Sequence, residues 1–109
     1  MQTHTDSRRT IIDWGEGQIA TVKALTMHQD ASVGDHYHRN KDEHFLLLSG
    51  HADKIVIGDE VKLSVDGPAE FHVPRNTYHR FELKAGAVLL GTASEPFDPN
   101  DEIKGQPNQ

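Results

Sequence analysis

Turn signals recur roughly every 8–12 residues along this chain, and only short apolar or alternating runs lie between them. No stretch sustains an apolar repeat of 3.6 residues, so a helix would have no continuous face to bury. A chain built this way must fold as short antiparallel strands closed into a sandwich or barrel. Ile11–Trp14 is ended by Gly15-Glu16-Gly17, and a rougher alternation follows over Ile19–Met27. Val33–His38 reads as a strand, Arg39–Asp42 as a polar turn and Phe45–Leu48 as a buried strand closed by Ser49-Gly50. Ile55–Ile57 and Val61, Leu63 and Val65 flank Gly58-Asp59-Glu60, which is a hairpin signal. Phe71–Val73 and His79–Leu83 flank Pro74–Thr77, and Ala87–Leu90 is a last apolar strand.

With 109 residues, the chain has room for one domain with one core. We place that core at about residues 10–94, with residues 1–9 and 95–109 as flexible or docking arms. The second arm carries Pro96, Pro99 and Pro107 and reads as extended rather than helical. Hydrophobic residues make up only 35% of the chain, so the core is thin and a subunit interface is expected to supplement it. Exposed edge strands and two arms favour a homodimer. The net charge of -6 disfavours nucleic acid or an anionic membrane as partner. Met1–Thr10 has no apolar stretch of the kind a secretory signal needs, and no run approaches a membrane span. A cytoplasmic protein is expected. Cysteine is absent, so any metal must be held by His, Asp or Glu.

Four side chains supply such ligands. Positions i and i+2 of a strand face the same way, so His36 and His38 project together, roughly 7 Å apart by strand rise. Imidazole reach lets both converge on one ion at about 2.1 Å. The turn after His38 brings Glu43 to the start of the next strand, with Phe45 and Leu47 on its face and His44 on the other. His79 arrives from a distant strand, with Phe81 on its face, while Tyr78 and Arg80 read as surface or interface residues. Three imidazoles and one carboxylate suit Fe, Mn, Ni, Co or Zn as a divalent ion and leave one net positive charge for an anionic or enolisable oxygen ligand. His72 and His28 are the candidate catalytic acid/base groups, set against the plainer reading of surface histidines.

The spacing His36-x-His38-x4-Glu43-x6-Gly50, followed by Pro74-x-Asn76-x2-His79, resembles the two cupin motifs over roughly residues 18–93. The resemblance implies a small jelly-roll barrel with those four residues as metal ligands. Asp30 stands where the first motif usually opens with glycine, and Asn76 replaces a second glycine. Asparagine is the non-glycine residue most tolerant of positive φ, so that turn can survive. The stretches Leu46–Gly50 and Val73–Arg80 are similar to small cupins of sugar and nucleotide-sugar metabolism, which implies isomerisation or epimerisation of a sugar. Two other readings stay open: an Fe(II)-dependent dioxygenase, and a non-enzymatic metal-dependent module that binds a small molecule.

Overall fold

A computed structural model describes residues 1–107; the last two residues of the expected C-terminal arm lie outside the described residues. Every pairing is antiparallel, and two sheets face each other. One is ordered β3 (Thr21–Thr26), β10 (Val88–Ala93), β5 (Glu43–Ser49), β8 (Ala69–Val73). The other is ordered β11 (Ile103–Lys104), β4 (Ala31–Tyr37), β9 (His79–Leu83), β6 (His51–Ile57), β7 (Glu60–Asp66). The chain crosses repeatedly between them, as a jelly-roll barrel does. A separate hairpin of β1 (Gln2–Thr5) and β2 (Thr10–Asp13) precedes the barrel. Among the described residues there is no α-helix, and no helix long and apolar enough to cross a membrane.

Alternation builds the interior. Phe45 and Leu47 of β5 point inward with Glu43, and β9 sends in Phe81 and Leu83. Ile55, Phe71, Val73 and Leu89 close the remaining space. Phe45, Leu47, Ile55, Phe81 and Leu89 are each at most 1% exposed. Burial of a side chain of this size stabilises the fold by about 1.5–3 kcal/mol, so these few positions carry much of a thin core. The expected hairpin is present: Ile57 pairs with Glu60 across a two-residue loop, with Gly58 at φ 57°. At the end of β5, Gly50 takes φ 90°, and a Cβ there would sit 2.6 Å from the Ala87 Cα. Only glycine lets the two loops approach so closely.

Three details depart from simple alternation. Gly34 and Asp35 both have positive φ, and the β4–β9 register shifts between Gly34 and His36. The extra residue is a β-bulge, which turns the following side chains to the opposite face. Val33 and His36 would otherwise face opposite ways; with the bulge His36 pairs with His79. In β3, Lys23 and Leu25 point toward the interior, as does Met27 just beyond it, and Val22 is 68% exposed, so the apolar count of that run misplaces its face. The C-terminal stretch also holds a single 3-10 turn, Pro99–Asp101, where an extended arm is expected. Its cause is local: Asp98 caps the turn by accepting from the Asn100 amide, and Pro99 occupies the first position, where its missing N–H costs nothing. The stretch then docks on its own barrel by pairing β11 with β4.

Candidate metal and active site

The bulge, the bend after β4 and the start of β9 bring three imidazoles together. The His36 ring lies 4.8 Å from that of His38 and 4.6 Å from that of His79, centroid to centroid. One nitrogen from each lies within 4.8 Å of the others. His38 and His79 are buried, and His36 is the most accessible of the three. The loop bearing the second motif is tied to the first: Asn76, at φ 61°, donates its amide to the His38 carbonyl over 2.6 Å. Asparagine thus performs the left-handed turn expected of it. Glu43 joins this group through His38, with Oε1 3.2 Å from His38 Nε2.

Hydrogen bonds fix the ring that matters most. His38 Nδ1 lies 2.9 Å from the Asp101 carbonyl, which can only accept, so Nδ1 carries the proton. In the neutral ring Nε2 then presents a lone pair to the interior, where it faces the Glu43 carboxylate. Two acceptors 3.2 Å apart repel unless a cation sits between or beside them. Both Glu43 oxygens and His79 Nδ1 are buried without a hydrogen-bond partner. Buried polar atoms left in this state are costly, and a shared ion or proton removes the cost. The donor set fits a divalent transition metal, since neutral imidazoles and one carboxylate are its usual hard-to-borderline ligands.

Electrostatics favour the same outcome. Burial lowers His79 to about 3; Glu43 opposes this and the other two rings reinforce it. Burial also lowers His36, against the pull of Glu102, whose Oε1 lies 3.0 Å from His36 Nδ1. Both rings are therefore neutral at pH 7 and need lose no proton to bind a metal. For Glu43, burial opposes ionisation, but the contact to His38 and the nearby His79 and Lys23 outweigh it and hold the carboxyl at about 2. Of these neighbours Lys23 is the lasting charge at pH 7, because His79 is neutral there.

A pH prediction follows for the metal-free protein. The unfolded imidazole of His79 titrates near 6.5, and the folded one near 3. Between these values the unfolded chain binds the extra proton, so stability falls as pH drops from about 6.5 toward 3. Glu43 acts in the same direction between 4.5 and about 2. Each tenfold separation in proton affinity is worth about 1.4 kcal/mol. Urea midpoints should decline steadily from pH 7 to pH 4.5; a flat profile contradicts neutral burial of His79.

The remaining candidates lie elsewhere. His72 is exposed and stacks on His44, ring centroids 4.3 Å apart, on the outer face of the β5–β8 pair. Pairing across that ladder puts His72 on the face opposite Glu43, so it does not reach the imidazole cluster. His28 is exposed beyond the end of β3 and does not reach it either. Tyr78, expected at the surface, is buried, and its hydroxyl donates to Asp35 Oδ1 over 2.5 Å, bracing the bulge. Arg80 is half-buried, with Nη2 3.2 Å from Ser32 Oγ and 3.4 Å from Glu82.

Sequence reasoning missed Lys23. Its ammonium lies 3.6 Å from Glu43 Oε2 and 5.8 Å from the centre of the Phe45 ring. It reaches both because Gly91, paired between Lys23 and Phe45, has no side chain to intervene. A lysine between Val22 and Ala24 carries no motif; only that glycine, distant in sequence and on the neighbouring strand, hinted at the opening.

No protein-family model matches the sequence, and no curated protein matches it. Solved structures do. A 3,4-ketoisomerase from Helicobacter canadensis is 20% identical, with TM-score 0.79 over 94% of this chain and 85% of that one. A double mutant of the QdtA 3,4-ketoisomerase from Thermoanaerobacterium thermosaccharolyticum, in complex with TDP, is 27% identical, with TM-score 0.79 over 95% and 83%. ChmJ, a 3'-monoepimerase from Streptomyces bikiniensis in complex with dTDP-quinovose, is 19% identical, with TM-score 0.83 over 97% and 67%. The cupin-type barrel is the fold shared with these proteins.

Proposed function

We propose that this chain is a sugar isomerase or epimerase that acts on a nucleotide-linked keto sugar and holds a divalent metal at His36, His38, Glu43 and His79. The observation that carries the reading is the likeness to sugar ketoisomerases over nearly the whole chain, with the imidazole cluster inside the shared barrel. Moving a carbonyl to the adjacent carbon, or inverting the centre beside it, requires one C–H proton to leave and return while charge on the oxygen is stabilised. A bound divalent ion supplies a Lewis acid for that oxygen. His36, His38, Glu43 and His79 would hold such an ion, and Phe45 and Phe81, packed against the His79 ring at 5.6 and 5.4 Å, would limit water beside it. Lys23 brings an ammonium within 3.6 Å of Glu43 Oε2, where it would hold a substrate oxygen or pass a proton.

One contact favours a metal-free variant. A proton on His38 Nε2 would also relieve the 3.2 Å approach to Glu43 and make an acid/base pair beside the neutral His36. Elemental analysis separates the two readings.

The functional test uses TDP-4-keto-6-deoxyglucose, the ligand held by a mutant of the Thermoanaerobacterium ketoisomerase. Anaerobic incubation should yield a rearranged or epimerised sugar, seen by proton NMR, with no change in oxidation level. No turnover without oxygen, with oxygen uptake when the incubation is repeated in air, would mark the Fe(II)-dependent dioxygenase instead. Binding without conversion, here and with other keto sugars, would mark a binding module.

We propose a homodimer as well. The β1–β2 hairpin is exposed at every strand residue except Ile12, and Val22 and Leu63 are bare on the edge strands β3 and β7. Light scattering at micromolar concentration should give twice the chain mass; a monomer contradicts it.

A further inference from the structure

We propose that Asp101 is a positioning residue that sets the direction and tautomer of His38, so that the C-terminal stretch is a working part of the metal site. The contacts run continuously. Lys104 and Ile103 pair with His36 and Tyr37. The Asp101 carbonyl then accepts from His38 Nδ1 at 2.9 Å. The Asp101 carboxylate next accepts from the Arg39 amide at 2.9 Å and from the Asn40 amide at 3.2 Å. Residues 36 to 40 are thus held one after another by residues 101 to 104.

Asp101 is only 5% exposed, unusual for an aspartate in a polar tail. Its carboxylate has a purpose that burial alone does not supply: it fixes the bend after His38, and through that bend the distance from the ring to its own carbonyl. The 3-10 turn makes this possible, since the Asp101 amide donates to the Asp98 carbonyl at 3.0 Å and presents both oxygen groups on one loop. A ligand histidine whose outer nitrogen donates to a fixed acceptor is held in one tautomer, with its inner lone pair aimed at the ion. The geometry stands by itself; its consequence for metal affinity rests on the metal reading above.

The test is a Co(II) titration of the full chain, read with side-chain nitrogen-15 NMR of the histidines. Asp101→Ala should weaken Co(II) binding by roughly 10–100-fold. It should also replace the single Nδ1–H signature of His38 with a mixture of tautomers, a change that a merely structural role would not produce. Asp101→Asn keeps one acceptor oxygen and should lose less, with the signature partly kept. Phe97→Ala, in the same stretch but 69% exposed, should change neither readout. Unchanged affinity and tautomer in a folded Asp101→Ala protein would overturn the proposal. If that variant does not fold, wild-type behaviour of Asp101→Asn would overturn it. If the wild type binds no Co(II), the metal reading fails and the tautomer alone decides: its loss in the variants supports the positioning role, and its retention ends it.

Discussion

Replacing His79 with alanine is expected to reduce affinity for Co(II) or Zn(II) by on the order of 100-fold or more, and activity with it. The size of the effect comes from position. His79 opens β9, is 2% exposed, and its ring lies 4.6 Å from that of His36 and 6.0 Å from that of His38. No nearby group can swing in to replace it, because Phe45 and Phe81 pack against it at 5.6 and 5.4 Å. Alanine also leaves a cavity, so His79→Gln is the fairer comparison. Glutamine keeps most of the volume and should keep the fold while losing the ion. The same variant has a second signature. His79 is neutral when folded and titrates near 6.5 when unfolded, so removing it should flatten the loss of stability between pH 6.5 and 4.5. Calorimetric metal titration and urea melts at three pH values would check both.

Phe81→Ala should be the most damaging change to the fold itself. Phe81 is wholly buried and joins the hydrophobic interior to the site: it meets Phe45 edge-on at 5.1 Å, Phe71 at 6.0 Å and His79 at 5.4 Å. Truncating a buried phenylalanine costs about 3–5 kcal/mol through lost transfer energy and the cavity left behind. For a domain near this size that lowers the melting temperature by more than about 10 °C. Phe81→Leu refills much of the space and should cost less than half as much. A loss below about 1 kcal/mol in Phe81→Ala would mean that the two sheets do not close on this side chain.

What could be read from the sequence divides along physical lines. Period-two alternation shows directly in residue types, so the inward set of β5 and the Gly58-Asp59 hairpin were legible. The pairing of His36 with His38 was legible too, although the alternation of β4 alone puts His36 on the face opposite Val33. The Asp35 bulge corrects this, and one inserted residue leaves no periodic trace. Lys23 was missed because a lysine in an alternating run reads as solvent-facing; only Gly91, its partner on the neighbouring strand β10, opens its path inward. Tyr78 was placed at the surface because its burial depends on the Asp35 carboxylate, a partner 43 residues away. The C-terminal stretch around Asp98–Glu102 reads from its prolines as an extended arm, with nothing to mark a buried aspartate. The amides that Asp101 caps belong to a turn 62 residues earlier. The face of His72 was legible in its own strand, since it lies between the buried Phe71 and Val73 and so points outward, away from the imidazole cluster.

On the reading proposed above, His36, His38, Glu43 and His79 close around one metal ion. Elemental analysis of untagged protein purified without chelators tests it most directly. The expected result is close to one divalent transition-metal ion per chain, falling to background in His79→Gln while that variant stays folded. A folded wild-type protein that carries no such ion, and takes none up when Fe(II), Mn(II), Co(II), Ni(II) or Zn(II) is supplied in excess, would contradict it.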